Sequence, residues 1–105
     1  MTQETMADLN QFLQFGQHMQ GRLQQLDSEL AGRVIEISAG AGMVRVTADG
    51  RGTVLHISIA PDAFEGRDAE LLSDLVLGAV AEAQRRAAEL MQAEMRSMPQ
   101  LPLTP

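Results

Sequence analysis

The chain contains no cysteine, no lysine, no tryptophan and no tyrosine. Without cysteine, disulfides and thiolate metal sites are excluded. Only three residues are aromatic, all phenylalanine, in a chain of 105 residues. The interior of so short a chain is small, so its core must rest on Leu, Ile, Val, Ala and Met. Helix-rich packing or a dimer makes up for the missing aromatic volume. No apolar run approaches the ~18 residues of a membrane span. The first residues lack the basic and apolar regions of a signal peptide, so the chain reads as cytoplasmic. With no lysine, all eight basic residues are arginines, and 14 acidic residues bring the formal net charge to −6. Neutralising phosphates ordinarily takes a basic face. Total charge therefore argues against DNA, while a local arginine patch stays open.

The stretch from Gly40 to Gly50 carries the clearest local signal. Glycines bracket an alternating run, Met43 to Ala48, and Asp49–Gly50 follows it. Asp-Gly between alternating apolar runs predicts a hairpin with a type I′ turn, which needs positive φ at both central residues. The first strand spans Val34 to Ser38, with Ile35 and Ile37 on one face. The second sets Val44, Val46 and Ala48 against Met43, Arg45 and Thr47. The third runs from Thr53 to Ala60, with Leu55, Ile57 and Ile59 opposite His56 and Ser58. Tight loops make these an antiparallel meander with one apolar face and one mixed face. Gly50 and Gly52, flanking Arg51, allow for a bulge.

A long periodic segment lies on each side. Leu9, Phe12, Gly16, Met19, Leu23, Leu26 and Leu30 alternate at spacings of three and four, a heptad line over a helix at 5–30. Thr5 and Asp8 resemble a capping box, and Gly32 supplies a stop. The line is longer than a small sheet can cover, so part of it is expected to pair with another helix, in this chain or a second copy. After the third strand, Ala60–Pro61 breaks the ladder. Asp62 to Glu65 reads as one helical turn closed by Gly66. Asp68 then caps a second helix over 68–97, with the stripe Leu72, Val76, Ala79, Ala83, Ala87 and Leu90. The organisation is one domain at 1–98 and a flexible proline-rich tail at 99–105.

Catalytic constellations are poor. His18 and His56 sit on different elements with no carboxylate or second histidine at ligand spacing. No serine lies in a nucleophile motif. Gly40 to Gly42 lacks the rest of a phosphate-loop signature and is followed by a strand. Carboxylates such as Glu82, Glu89 and Glu94 read as the solvated face of a helix. No enzyme, cofactor, metal or small-molecule substrate is expected. The arginines remain: Arg22 on the first helix, and Arg85, Arg86 and Arg96 on the second. Their ordinary role is local pairing, since Glu82 precedes Arg85 and Arg86 by three and four positions and Glu89 follows them.

Together these residues resemble the YbaB/EbfC family of bacterial nucleoid-associated proteins. The resemblance rests on Met19–Gln20 and the Leu26 to Leu30 helix end, and on Ala39-Gly-Ala-Gly-Met-Val-Arg-Val-Thr-Ala-Asp-Gly50. Ile57-Ser-Ile-Ala-Pro61 and Asp74-Leu-Val-Leu-Gly-Ala-Val-Ala-Glu-Ala-Gln-Arg-Arg86 complete it. It implies an α+β subunit of helix, three-stranded antiparallel meander and long helix (α-β-β-β-α), in a tweezer-like homodimer whose projecting helices contact double-stranded DNA. Carried over by position, the family's basic first-helix residues correspond to His18, Arg22 and Gln25, and its paired basic residues to Arg85 and Arg86. Ile37 stands where the family usually has glycine, and Ala60 where it usually has aspartate. The expected function is a nucleoid-associated DNA-binding protein using phosphate contacts from His18, Arg22, Gln25, Arg85, Arg86 and Arg96. The alternative is an acidic dimeric scaffold that binds another protein and has little DNA affinity.

Overall fold

A computed structural model describes residues 3–97. Helix α1 spans Gln3–Ala31, strands β1, β2 and β3 span Val34–Ala39, Val44–Asp49 and Val54–Ile59, and helix α2 spans Ala69–Arg96. A single 3-10 turn, Pro61–Phe64, links β3 to α2. The sheet order is β1-β2-β3, all antiparallel, so the α-β-β-β-α order and the meander are those expected. The tail expected at 99–105 lies outside the described residues.

The alternation of each strand decides which face α2 covers. Ile37, Val44, Val46 and Ala48 are buried against Ala79 and Ala83 of α2, with Leu72, Leu75, Val76 and Val80 closing around them. Small alanines on the buried line let the helix axis approach the sheet closely, which suits a core without large aromatics. On β3 the alternation is broken. Thr47 pairs with His56 but Ala48 pairs with Val54, leaving Leu55 as an extra residue. This bulge turns Val54 toward the core in place of Leu55, which is 57% exposed. Leu55 therefore does not join Ile57 and Ile59 as the alternation predicts.

The two hairpins exchange the expected turn chemistry. Met43 donates its N–H to the Gly40 carbonyl at 3.2 Å, and the central residues Ala41 and Gly42 have φ of 56° and 89°. That φ pair belongs to a type I′ turn. At Asp49–Gly50 neither residue has positive φ; Gly52 does, at 87°. Gly52 N–H closes this turn on the Asp49 carbonyl at 3.0 Å, and Asp49 N–H bonds the Thr53 carbonyl at 2.9 Å. The loop is therefore the three-residue type with a left-handed glycine at its end. Gly50 serves a different purpose. Its N–H reaches the Leu30 carbonyl at 2.8 Å, and a Cβ added there would sit 2.8 Å from that same oxygen.

The C-terminal end of α1 is thereby pinned to the β2–β3 hairpin. Leu26 and Leu30 are buried there with Met19 and with Leu90 of α2. Arg51 adds an ion pair to Asp27 at 3.7 Å. α1 begins at Gln3, so Thr5 lies inside the helix and not at its start. The cap of α2 is as expected: Asp68 Oδ1 accepts from Leu71 N–H at 3.0 Å. Arg67, not Gly66, takes the left-handed conformation ahead of that cap. Most of the α1 stripe finds no cover among the described residues of the protomer. Leu9, Phe12, Leu13 and Leu23 are all about half exposed or more. The molecule extends 76 Å along its longest axis against 25 and 19 Å across. Its length comes from α1 and the end of α2 projecting past the hairpin end of the sheet.

Candidate nucleic-acid interface

On α1, His18, Arg22 and Gln25 follow a spacing of four and three, which places them on one side of the helix. Arg22 Nη1 donates to Gln25 Oε1 at 2.9 Å, and Gln25 Nε2 donates to Glu29 Oε1 at 3.2 Å. His18 and Gln25 are exposed and Arg22 is half-buried. The line is a hydrogen-bonded polar ridge with one permanent cation, beside the apolar stripe.

On α2 the arginines are held by carboxylates of their own helix. Arg85 Nε donates to Glu82 Oε2 at 2.9 Å, Arg85 also pairs with Glu89, and Arg86 Nε reaches Glu82 Oε1 at 3.3 Å. Glu82 thus serves both arginines. Hydrogen bonding to Arg85, opposed by burial and helped by both cations, holds the Glu82 carboxyl below its ordinary pKa. The same contacts push the Arg85 guanidinium above its own. The Arg85 and Arg86 side chains are 56% and 54% exposed, so water screens these pairs and a competing phosphate can replace them at small cost. Arg96 is exposed in the last turn of α2, where the helix dipole favours a cation.

The contact of Leu90 with Leu26 and Leu30 sets the relation between the two groups. Arg22 lies one turn outward of Leu26 along α1, whereas Arg86 lies one turn inward of Leu90 along α2. Arg22 therefore sits out on the projecting part of α1, whereas Arg85 and Arg86 sit back at the hairpin end of the sheet, where the neighbouring Gln84 Nε2 donates to the Gly52 carbonyl at 3.3 Å. Arg51 adds a cation near the base of α1, shared between Asp27 and the buried Asp49. Spacing within a helix does not point to Arg51, because its contact with α1 depends on where the hairpin docks.

The other sequence candidates sit apart from this end. His56 and Ser58 pair with Thr47 and Arg45 on the open face of the sheet. Gly40 to Gly42 forms the β1–β2 turn, and Gly40 is tucked so close to Leu75 that an added Cβ would come within 2.8 Å of its Cδ1. Periodicity also does not single out an open apolar surface along β3 and α2, lined by Ile59, Leu72, Val76, Leu77 and Val80. Leu77 is 69% exposed there. Among the described residues no group of His, Asp or Glu is placed to hold a metal ion, and no helix is long and apolar enough to cross a membrane.

Known proteins place the chain. It is 39% identical over 88 residues to nucleoid-associated protein Teth39_2199 of Thermoanaerobacter pseudethanolicus, covering 84% of this chain and 79% of that protein. It is 41% identical over 90 residues to a nucleoid-associated protein of Moorella thermoacetica, covering 86% of each. For nucleoid-associated protein PPA0205 of Cutibacterium acnes the identity is 40% over 96 residues, covering 91% of this chain and 90% of the relative. The crystal structure of the uncharacterized protein HP0035 from Helicobacter pylori shares the fold, with a TM-score of 0.70 at 20% identity over 81% of this chain and 99% of that one. The model of the YbaB/EbfC DNA-binding family matches residues 6–101. With that match over nearly its full length, the chain belongs to the YbaB/EbfC DNA-binding family.

Proposed function

We propose that the protein is a cytoplasmic, nucleoid-associated DNA-binding homodimer that grips double-stranded DNA through phosphate contacts from its projecting helices. The observation that carries this reading is the exposure of Arg85, Arg86 and Arg96 on α2 and of His18 and Gln25 around Arg22 on α1, in a chain from a DNA-binding family. Arginine's planar fork suits phosphate oxygens, and cations on two helices follow a backbone better than they read base edges. Self-association draws support from the apolar surface along β3 and α2, where Leu77 and Ile57 stand open to water. A two-fold pairing there doubles the set of cations and sets two projecting ends side by side.

The test is fluorescence anisotropy with a duplex across a salt series, for wild type and Arg85→Ala/Arg86→Ala. Wild type binds at low salt and weakens steeply as salt rises, with a log–log slope of about −0.9 per phosphate contacted. The double variant binds more weakly, with a shallower slope. No wild-type binding at low salt favours a protein-binding scaffold instead. Undiminished binding by the double variant removes these arginines from the interface.

A further inference from the structure

The outer half of α1 is a helix with an apolar stripe that the other described residues of the protomer leave uncovered. Met6, Leu9, Phe12 and Leu13 are each about half exposed or more. A lone helix of that length is marginal in water without packing. We propose that this stripe is a self-association surface, on which α1 of a second copy lies antiparallel in one register.

Three observations select that occupant. The first is shape. Gly16 interrupts the heptad line, and an added Cβ there would meet nothing within 4 Å. An antiparallel partner that sets Leu9 opposite Met19 of the second copy also sets Phe12 opposite Gly16 of that copy, so the bulkiest side chain of the stripe fills its one gap. A parallel pairing in register sets Gly16 against Gly16 and leaves the gap empty. The second is charge. From Leu9 to Gln25 the only permanent charge is Arg22, so two copies approach without the repulsion expected at a net charge of −6. The third is register. The flanking positions that face each other in this pairing are Asp8 and Arg22 of the second copy, and by symmetry they do so twice. Within one helix these residues are 14 positions apart, about 21 Å, so they cannot pair in cis. Leu13 meets Leu13 across the two-fold axis.

This pairing does not depend on DNA. If the protein also dimerises along β3 and α2, the two isologous contacts link dimers into open chains. Arg22 is then shared: a carboxylate of another copy and a phosphate compete for it.

The experiment uses the full chain without DNA, so a failure of DNA binding leaves it unaffected. Sedimentation velocity over a concentration series reads assembly for wild type, Phe12→Glu, Asp8→Arg, Arg22→Asp and Asp8→Arg/Arg22→Asp. Phe12→Glu and each single charge reversal shift the association midpoint up by about tenfold or more, and the double reversal restores it. Circular dichroism checks that the variants, all at exposed or half-exposed positions, keep their helix content. Because the chain has no native cysteine, Leu13→Cys gives a second readout. A short bis-maleimide links two copies through Cys at that position, while Gln14→Cys on the opposite side of the helix stays unlinked. A double reversal no better than the singles, or equal linking at both positions, overturns the pairing. A stripe covered by the chain's own last residues would show as linking lost at both positions and no response to charge reversal, which also overturns it.

Discussion

Gly50 lies directly beneath Leu30: its N–H meets the Leu30 carbonyl at 2.8 Å, and a methyl group there would reach 3.2 Å from the Leu30 Cα. The end of α1 is held by backbone approach, a relation only glycine allows at this position. Gly50→Ala forces the hairpin away from the helix end and costs about 1–3 kcal/mol. Urea unfolding of the variant against wild type measures that loss. Gly16→Ala, at a glycine with open space around it, serves as the control and does not lose stability in the same way, since alanine favours helix.

The small cluster at that joint has its own weight. Leu30 is 2% exposed, and Leu30→Ala removes buried volume that neither Met19 nor Leu90 can fill. The expected loss is about 2–5 kcal/mol. Leu9→Ala, at a position 48% exposed in the protomer, stays within about 0.5 kcal/mol when measured at concentrations too low for self-association. Thermal unfolding of dilute samples separates the two.

Asp49 makes the β2–β3 turn sensitive to acid. Burial pushes its carboxyl pKa up, but the Thr53 and Arg51 N–H groups and the Arg51 guanidinium outweigh burial, and the pKa is lowered. Folding therefore favours the ionised form. That stability is fully present above the ordinary carboxylate pKa of about 3.9 and is lost as pH falls through the lower folded-state value. Urea midpoints taken down a pH series should show wild type and Asp49→Asn converging at the acid end. A gap that stays constant with pH contradicts this account.

Glu82 restrains both arginines of α2, so Glu82→Gln should release them. Duplex affinity rises a few-fold at low salt, and stability changes by less than about 0.5 kcal/mol because the pairs are exposed. Anisotropy titration and a parallel urea melt check the two halves of this expectation. Unchanged affinity would mean that the ion pairs do not limit DNA contact.

Ala41 holds φ at 56° in the β1–β2 turn, a conformation costing a residue with a Cβ roughly 1–2 kcal/mol. Ala41→Gly relieves it at some cost in unfolded-chain entropy. The net gain is about 0.5–1 kcal/mol, read as a higher urea midpoint.

Much of the fold is legible in the residues because it is written locally. The alternation in β1 and β2, the proline after β3 and the Asp68 cap each act over a few neighbours, and each lies where spacing puts it. The turns are not written locally. Asp49–Gly50 has the dipeptide of a type I′ turn, but Gly50 is committed to Leu30, twenty positions away, while Ala41 adopts the positive φ its composition disfavours. Leu55 left the inner face for a related reason, since a bulge is a property of the strand pair. At the candidate interface, the ridge of His18, Arg22 and Gln25 and the pairing of Glu82 with Arg85 and Arg86 follow from helical spacing alone. The levels at which the two helices present them do not, because Leu26, Leu30 and Leu90 decide that across the fold.

The joint between α1 and the hairpin has a mechanical consequence. A helix of 29 residues is a rod of about 43 Å, fastened at one end by a backbone hydrogen bond, two leucines and a surface ion pair. A tilt of about 10° at that fastening carries the far tip through roughly 7 Å. Small adjustments under Leu30 thus become a large displacement of the far tip, without any repacking of the sheet.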